Sequence, residues 1–94
     1  MAESNPSEPR VVVLSRADCC LCDEALAAVE EARRQVPFTL EVRDVDQDPR
    51  LAALYGEEVP VVLVDGRKAF KFRVDARRLV RTLRGRRWLG FGRA

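Results

Sequence analysis

The run Val11-Val12-Val13-Leu14 constrains the fold of this chain more than any other feature. An apolar run without polar alternation is typical of a strand covered on both faces, as in parallel or mixed α/β sheets. The chain has 94 residues, and single domains most often have about 100 to 150. We therefore expect one α/β domain with this run as its central strand.

Helical and strand patterns then alternate. Apolar residues at helical spacing predict a helix that begins after Asp18, a candidate N-cap or pre-cap, and ends near Arg34. Residues 38–45 alternate apolar and polar side chains, which predicts a second strand with one buried face. A short helix should follow, with Pro49 in its first turn.

The last third of the chain predicts a hairpin and a helix. Asp65-Gly66 is a strong two-residue turn signal between two antiparallel strands, and Asp75 caps a final helix that should end before Gly85. The predicted order is β-α-β-α-β-β-α, an α/β fold with a mixed central sheet flanked by helices.

The segments outside the predicted core differ in composition. We interpret residues 1–10 as a flexible N-terminal leader, 11–84 as the domain and 85–94 as a basic C-terminal tail. Residues 1–10 lack the basic start and apolar centre of a secretory signal. No apolar run approaches the roughly 20 residues of a membrane span. We expect a cytoplasmic protein without a membrane partner.

Charge is distributed unevenly. Residues 1–66 carry 14 acidic and 6 basic side chains, whereas residues 67–94 carry 1 acidic and 11 basic. Such a basic end either binds nucleic acid or an acidic partner, or it neutralises the acidic part and stays solvated. We favour the second interpretation, and expect a monomer that does not bind nucleic acid.

Three cysteines lie within four positions, at Cys19, Cys20 and Cys22, directly after the predicted central strand. Clustered thiols of this kind are typical of redox or metal sites in a reducing compartment. The chain has no histidine, which excludes Cys-His catalytic pairs and zinc sites that use histidine. Two uses of the cluster therefore stay open.

The first use is dithiol chemistry. A helix N-terminus stabilises a thiolate, which makes Cys19 the favoured nucleophile, while Cys22 lies one turn into the helix and can resolve a mixed disulfide. Cys20 is then a spectator or a glutathionylation site. The alternative is a thiolate module in which Cys19, Cys20 and Cys22 hold Cu(I), or zinc or an iron-sulfur cluster shared between two chains.

Several motifs together resemble a known fold. The strand, the C-x-x-C at a helix start, Val59-Pro60 before the third strand and Asp65-Gly66 after it resemble the thioredoxin fold in its short glutaredoxin-like form. The resemblance spans about residues 10–84. Ser15 to Cys19, with Cys22-Asp23 continuing the motif as C-x-x-C-D, is most similar to small bacterial glutaredoxin-like proteins.

The resemblance implies a thiol-disulfide oxidoreductase in cell redox homeostasis, without a bound cofactor. It implies that Cys19 is the nucleophile, that Cys22 resolves, and that Pro60 is a cis-proline preceded by Val59, whose backbone binds an extended thiol substrate. Arg16 lies near the position at which glutaredoxins often have a lysine that binds glutathione. Substrates would be disulfide-containing proteins or low-molecular-weight thiols.

Two departures from the glutaredoxin pattern bear on the reductant. Cys20-Leu21 stands where glutaredoxins usually have Pro-Tyr, and residues 71–74 replace the Gly-Gly pair before Asp75. Because of these departures, the resemblance does not imply that glutathione is the physiological reductant, and glutathione is only one candidate.

Overall fold

The computed structural model describes residues 8–17 and 19–93, with side chains up to residue 85. Within these residues, four strands and three helices occur in the predicted order, with a short 3-10 turn at Val45–Gln47. The strands are β1 (Arg10–Ser15), β2 (Thr39–Asp44), β3 (Val61–Val64) and β4 (Arg67–Lys71). The helices are α1 (Cys20–Arg33), α2 (Pro49–Tyr55) and α3 (Ala76–Arg93).

The strands form one mixed sheet in the order β2-β1-β3-β4. β1 is parallel to β2 and antiparallel to β3, and β3 is antiparallel to β4. The predicted mixed sheet with β1 at its centre is confirmed. Asp65 and Gly66 both have positive φ, as a tight hairpin turn requires, and they join β3 to β4 as expected.

Both faces of β1 are covered. Val11 and Val13 lie in a core cluster with buried residues of α1 and α3, whereas Val12 and Leu14 lie in a second cluster that includes Leu51 of α2. Successive side chains of a strand point to opposite faces of the sheet, so a run without polar residues fits a strand between two helical layers. The molecule is therefore three layers thick at its centre.

The second strand is less buried than its alternation predicts. Phe38 and Leu40 pack against the α1 and α3 core, but Val42 is 49% exposed. β2 is an edge strand, and the side chains that cover the sheet do not reach Val42. The predicted buried face is therefore present only at the start of this strand.

The start of α2 was predicted correctly from the sequence, whereas the end of α3 was not. Asp48 caps α2, and its carboxylate accepts a hydrogen bond from the Arg50 N–H at 2.9 Å, with Pro49 in the first turn as predicted. α3, however, does not end before Gly85 but continues to Arg93. The expected stop was wrong because Gly85 does not take the positive φ of a C-terminal cap glycine.

The folded part of the chain begins slightly earlier than expected. Pro9 is fully buried and Arg10 is the first residue of β1, so both belong to the domain and not to the leader. Among the described helices, none has the length and apolar character to cross a membrane.

Candidate functional site

The thiols lie at one edge of the sheet, where β1 ends. Leu14 pairs with Val61 in antiparallel register, so the segment after β1 and the Val59-Pro60 segment before β3 leave the sheet at the same edge. The peptide bond between Val59 and Pro60 is cis, as the resemblance implied. The fold thus brings the two sequence-predicted parts of the site, the C-x-x-C and the proline loop, to one edge.

In the proline loop, Val59-Pro60, only some of the backbone polar groups form hydrogen bonds within the protein. The Pro60 carbonyl accepts a hydrogen bond from the Phe72 N–H at 2.9 Å. No hydrogen bond joins the Val59 N–H or C=O to another residue among 8–17 and 19–93. Both groups therefore remain available to an extended segment.

Cys19 is the N-cap of α1. Its backbone is extended, with φ −109° and ψ 107°, and its side chain makes no capping hydrogen bond. Its N–H donates to the Arg16 carbonyl at 3.2 Å, and its carbonyl accepts from the Cys22 N–H at 3.1 Å. The half-exposed Cys19 sulfur thus lies at the positive end of the helix dipole. The other candidate cap, Asp18, is outside the described residues.

Cys22 lies one turn into α1 and is buried. The pKa of its thiol is raised from 9.0 to about 11, first by burial and then by a hydrogen bond to the Cys19 side chain, while a backbone hydrogen bond from Arg16 opposes the shift. The negative potential from Cys19 and Asp23 acts in the same direction as burial. Cys22 therefore keeps its proton at neutral pH.

Cys20, between these two, is exposed. The three sulfur atoms consequently differ in environment although they are close in sequence. Within the part of the chain that the structure describes, no group of three or more Cys, Asp or Glu side chains is arranged to hold a metal ion.

Arg16 is engaged by a carboxylate. Its guanidinium forms an ion pair with Asp46, with an N–O distance of 3.1 Å, and also donates from Nε to the same carboxylate. A Cβ atom added to Gly56 would lie 3.0 Å from Arg16 Nη2, which shows that the guanidinium packs closely over that glycine. The Arg16 side chain therefore bridges the thiol loop and the turn after β2.

Sequence reasoning did not identify Asp46, although a signal was present. β1 and β2 are parallel, with Ser15 opposite Asp44, and the carboxyl ends of parallel strands meet at one edge of a sheet. The predicted strand order therefore placed residues after β2 beside residues after β1.

A groove of about 340 Å³ adjoins the first turn of α1. Its lining combines apolar and charged side chains from α1, from the end of β4 and from the start of α3: Leu21, Glu24, Ala25, Phe70, Phe72, Arg73, Val74, Asp75 and Arg78. Phe72 has a φ of 69° and is 44% exposed. Sequence reasoning also missed this groove, because no local pattern predicts a phenylalanine in the left-handed region.

The chain resembles known proteins over most of its length. The family model described as "Glutaredoxin-like domain (DUF836)" matches residues 10–84. An uncharacterized protein of Mycobacterium tuberculosis, Rv0508, is 36% identical over 78 residues, which cover 78% of this chain and 80% of the relative. A match of this extent establishes a family without assigning an activity.

Solved structures agree with this match. The X-ray structure of the structural genomics target XcR50 from X. campestris is 33% identical, with a TM-score of 0.68, and the match covers 80% of this chain and 96% of that one. Thioredoxin-2 of the malaria parasite, at 14% identity, has a TM-score of 0.64 over 83% of this chain and 82% of its own. The fold is thus thioredoxin-like, as the sequence predicted.

Proposed function

Since the chain belongs to the glutaredoxin-like domain family (DUF836), we propose that it is a thiol-disulfide oxidoreductase that uses Cys19 and Cys22 as a dithiol. The observation that carries the proposal is the asymmetry of these two thiols. Cys19 is half-exposed at a helix N-terminus, whereas Cys22 is buried, protonated and hydrogen-bonded to the Cys19 side chain. An accessible attacking thiol beside a shielded one is the arrangement that dithiol exchange requires.

The reaction consists of two exchanges. The Cys19 thiolate attacks one sulfur of the substrate disulfide, the S–S bond breaks, and the other substrate sulfur leaves as a thiolate that takes a proton from water. Cys22 then attacks Cys19 Sγ, its proton passes to the departing substrate sulfur, and a Cys19–Cys22 disulfide forms. Two electrons have passed from the protein dithiol to the substrate disulfide.

Substrate binding uses the edge that the two loops share. The unpaired N–H and C=O of Val59 pair with an extended segment beside the substrate disulfide, and Pro60 fixes the loop that presents them. Arg16 contributes positive charge at the same edge, and its ion pair with Asp46 offsets part of that charge. Substrates are disulfide-containing proteins or low-molecular-weight disulfides. A thiol reductant, for which glutathione is one candidate, returns the two electrons in the reducing cytoplasm.

A redox titration of freshly purified, metal-assayed protein tests the proposal, with trapped thiols mapped by mass spectrometry. We expect a Cys19–Cys22 disulfide with a reduction potential of roughly −180 to −270 mV, the range of known oxidoreductases. Stoichiometric metal without an intramolecular disulfide would contradict the proposal and favour the thiolate module.

Matched cysteine variants assign the roles. Cys19→Ser should abolish disulfide reduction, and Cys22→Ser should accumulate a mixed disulfide on Cys19 or retain only monothiol activity. Cys20→Ser is the control, because it removes an exposed thiol from the same turn and should leave reduction largely intact. Undiminished turnover by the Cys19 variant would rule out the mechanism.

A further inference from the structure

α3 carries a row of arginines without partners. Arg77, Arg78, Arg81 and Arg84 are exposed, as is Arg73 in the preceding loop. None of these five guanidinium groups forms an ion pair or a side-chain hydrogen bond with another described residue. We call these five residues the basic ridge.

Several cations elsewhere in the molecule are neutralised locally. Arg10 pairs with Glu41 at 2.7 Å, and Lys68 pairs with Glu58 at 2.7 Å. The one carboxylate in residues 67–94 is that of Asp75, and it accepts a hydrogen bond from the Arg78 N–H at 3.2 Å as part of the helix start. The ridge therefore presents concentrated positive charge to the solvent.

The ridge has a regular geometry. Arg77, Arg81 and Arg84 occupy positions i, i+4 and i+7, which lie on one face of a helix over about 10 Å at 1.5 Å per residue. This length corresponds to about three residues of an extended polypeptide at roughly 3.3 Å each. A short acidic segment lying along α3 could thus meet several guanidinium groups in succession.

The ridge reaches the groove that adjoins the first turn of α1. Arg73 and Arg78 line the groove beside the first turn of α1, together with Leu21, which lies between Cys20 and Cys22 in the sequence. Phe72 in the same groove is held at φ 69° with its ring partly exposed. A bulky residue in the left-handed region is strained, and such residues cluster at functional sites.

We propose that the basic ridge docks an acidic segment of the protein substrate, adjacent to the disulfide that Cys19 attacks. This inference rests on the oxidoreductase function proposed above, which it extends to a substrate class. A protein fits better than nucleic acid because the ridge leads into a groove whose lining includes apolar side chains beside the charged ones, and because a substrate of the proposed reaction must itself carry a disulfide. Clustered like charge of this kind chiefly accelerates association and selects partners.

Two peptide disulfides of identical central sequence test the inference, one flanked by Asp and Glu and the other by Ser and Gly. The measured quantity is the second-order rate constant for oxidation of the reduced protein in a single turnover. We expect the acidic peptide to react about tenfold faster at low salt and to lose this advantage at about 0.5 M salt, where the Debye length is only a few ångströms.

Charge-reversal variants locate the effect. Arg77→Glu combined with Arg81→Glu should remove the preference for the acidic peptide, whereas Arg50→Glu should preserve it, because Arg50 is an exposed arginine on α2, across the sheet from α3. Circular dichroism verifies that each variant is folded. Equal rate constants for the two peptides at low salt, or an unchanged preference in the double variant, would overturn the inference.

An equilibrium measurement separates this inference from the oxidoreductase proposal. A fluorescent acidic peptide with Ser in place of its cysteines should bind the reduced protein and lose affinity in the double variant, whether or not either disulfide is reduced. Absence of binding overturns the ridge inference, and absence of reaction with both peptides overturns only the oxidoreductase proposal. A single-stranded oligonucleotide that binds through the ridge, when the acidic peptide does not, would replace the protein partner with nucleic acid.

Discussion

The three thiols of the cluster differ in reactivity because the Cys22 side chain is buried, whereas Cys19 and Cys20 are accessible to solvent. Its pKa of about 11 arises first from burial and then from the hydrogen bond to Cys19. A thiol with a raised pKa is almost entirely protonated at pH 8, so only a very small fraction is the reactive thiolate. Cys20, which is exposed, has no such steric protection.

We therefore predict that iodoacetamide labels Cys22 of the reduced protein far more slowly than Cys20 at pH 8. The Cys22 rate should rise with pH up to about 11, because the thiolate fraction rises until pH passes the raised pKa. Peptide mass spectrometry after timed quenching measures each rate. In Cys19→Ala the Cys22 midpoint should fall but stay above 9, since burial remains. A Cys22 midpoint below 9 in the parent protein would contradict this account.

A second residue-scale prediction concerns Gly56, over which the Arg16 guanidinium packs. A Cβ at this position would lie 2.5 Å from the Ala52 carbonyl oxygen and 3.0 Å from Arg16 Nη2. Gly56→Ala must displace the end of α2 and loosen the contact between Arg16 and Asp46. We expect the free energy of unfolding in urea to fall by about 1 to 3 kcal/mol, the usual cost of overpacking. An unchanged urea midpoint would show that the site relaxes freely.

At the scale of elements, the prediction succeeded where a strong local signal agreed with the layer structure. Val11–Leu14 has no polar residue, Asp48-Pro49 starts a helix, and Asp65-Gly66 makes the hairpin turn, and each behaves as expected. The exposure of Val42 could not be predicted, because alternation does not reveal how far the helices cover an edge strand. The thiols were located from their spacing, whereas Asp46 and the groove depend on contacts between distant segments.

A substitution at Gly85 tests whether α3 continues through this residue or ends there. In this structure the helix continues through Gly85, and an added Cβ would meet no atom within 4 Å. Gly85→Ala should therefore raise the free energy of unfolding by about 0.5 to 1 kcal/mol, because alanine in a helix interior is more favourable than glycine. If Gly85 were instead a left-handed cap, the same substitution would destabilise the protein. Urea unfolding followed by far-ultraviolet circular dichroism distinguishes the two signs.

At the scale of the whole molecule, the described core and the most basic part of the sequence occupy different stretches of the chain. Within residues 76–85, the part of α3 whose side chains the structure describes, the buried residues are Leu79, Val80 and Leu83. The family match likewise ends at residue 84. Residues 86–94 add three arginines, at Arg86, Arg87 and Arg93, and no acidic residue. Folding should thus depend on the first part of α3, and long-range charge on all of it.

We predict that a chain truncated after Gly85 still unfolds cooperatively and still reduces a small uncharged disulfide at the parent rate, because the core and the thiol site remain. Its oxidation by the acidic peptide should slow severalfold at low salt, since three positive charges no longer contribute to attraction. The same truncation should leave the rate constant at about 0.5 M salt unchanged, where screening removes long-range charge effects. Loss of cooperative unfolding would mean that the end of α3 stabilises the domain directly. A full-length salt dependence in the truncated chain would confine the electrostatic contribution to the ridge residues before Gly85.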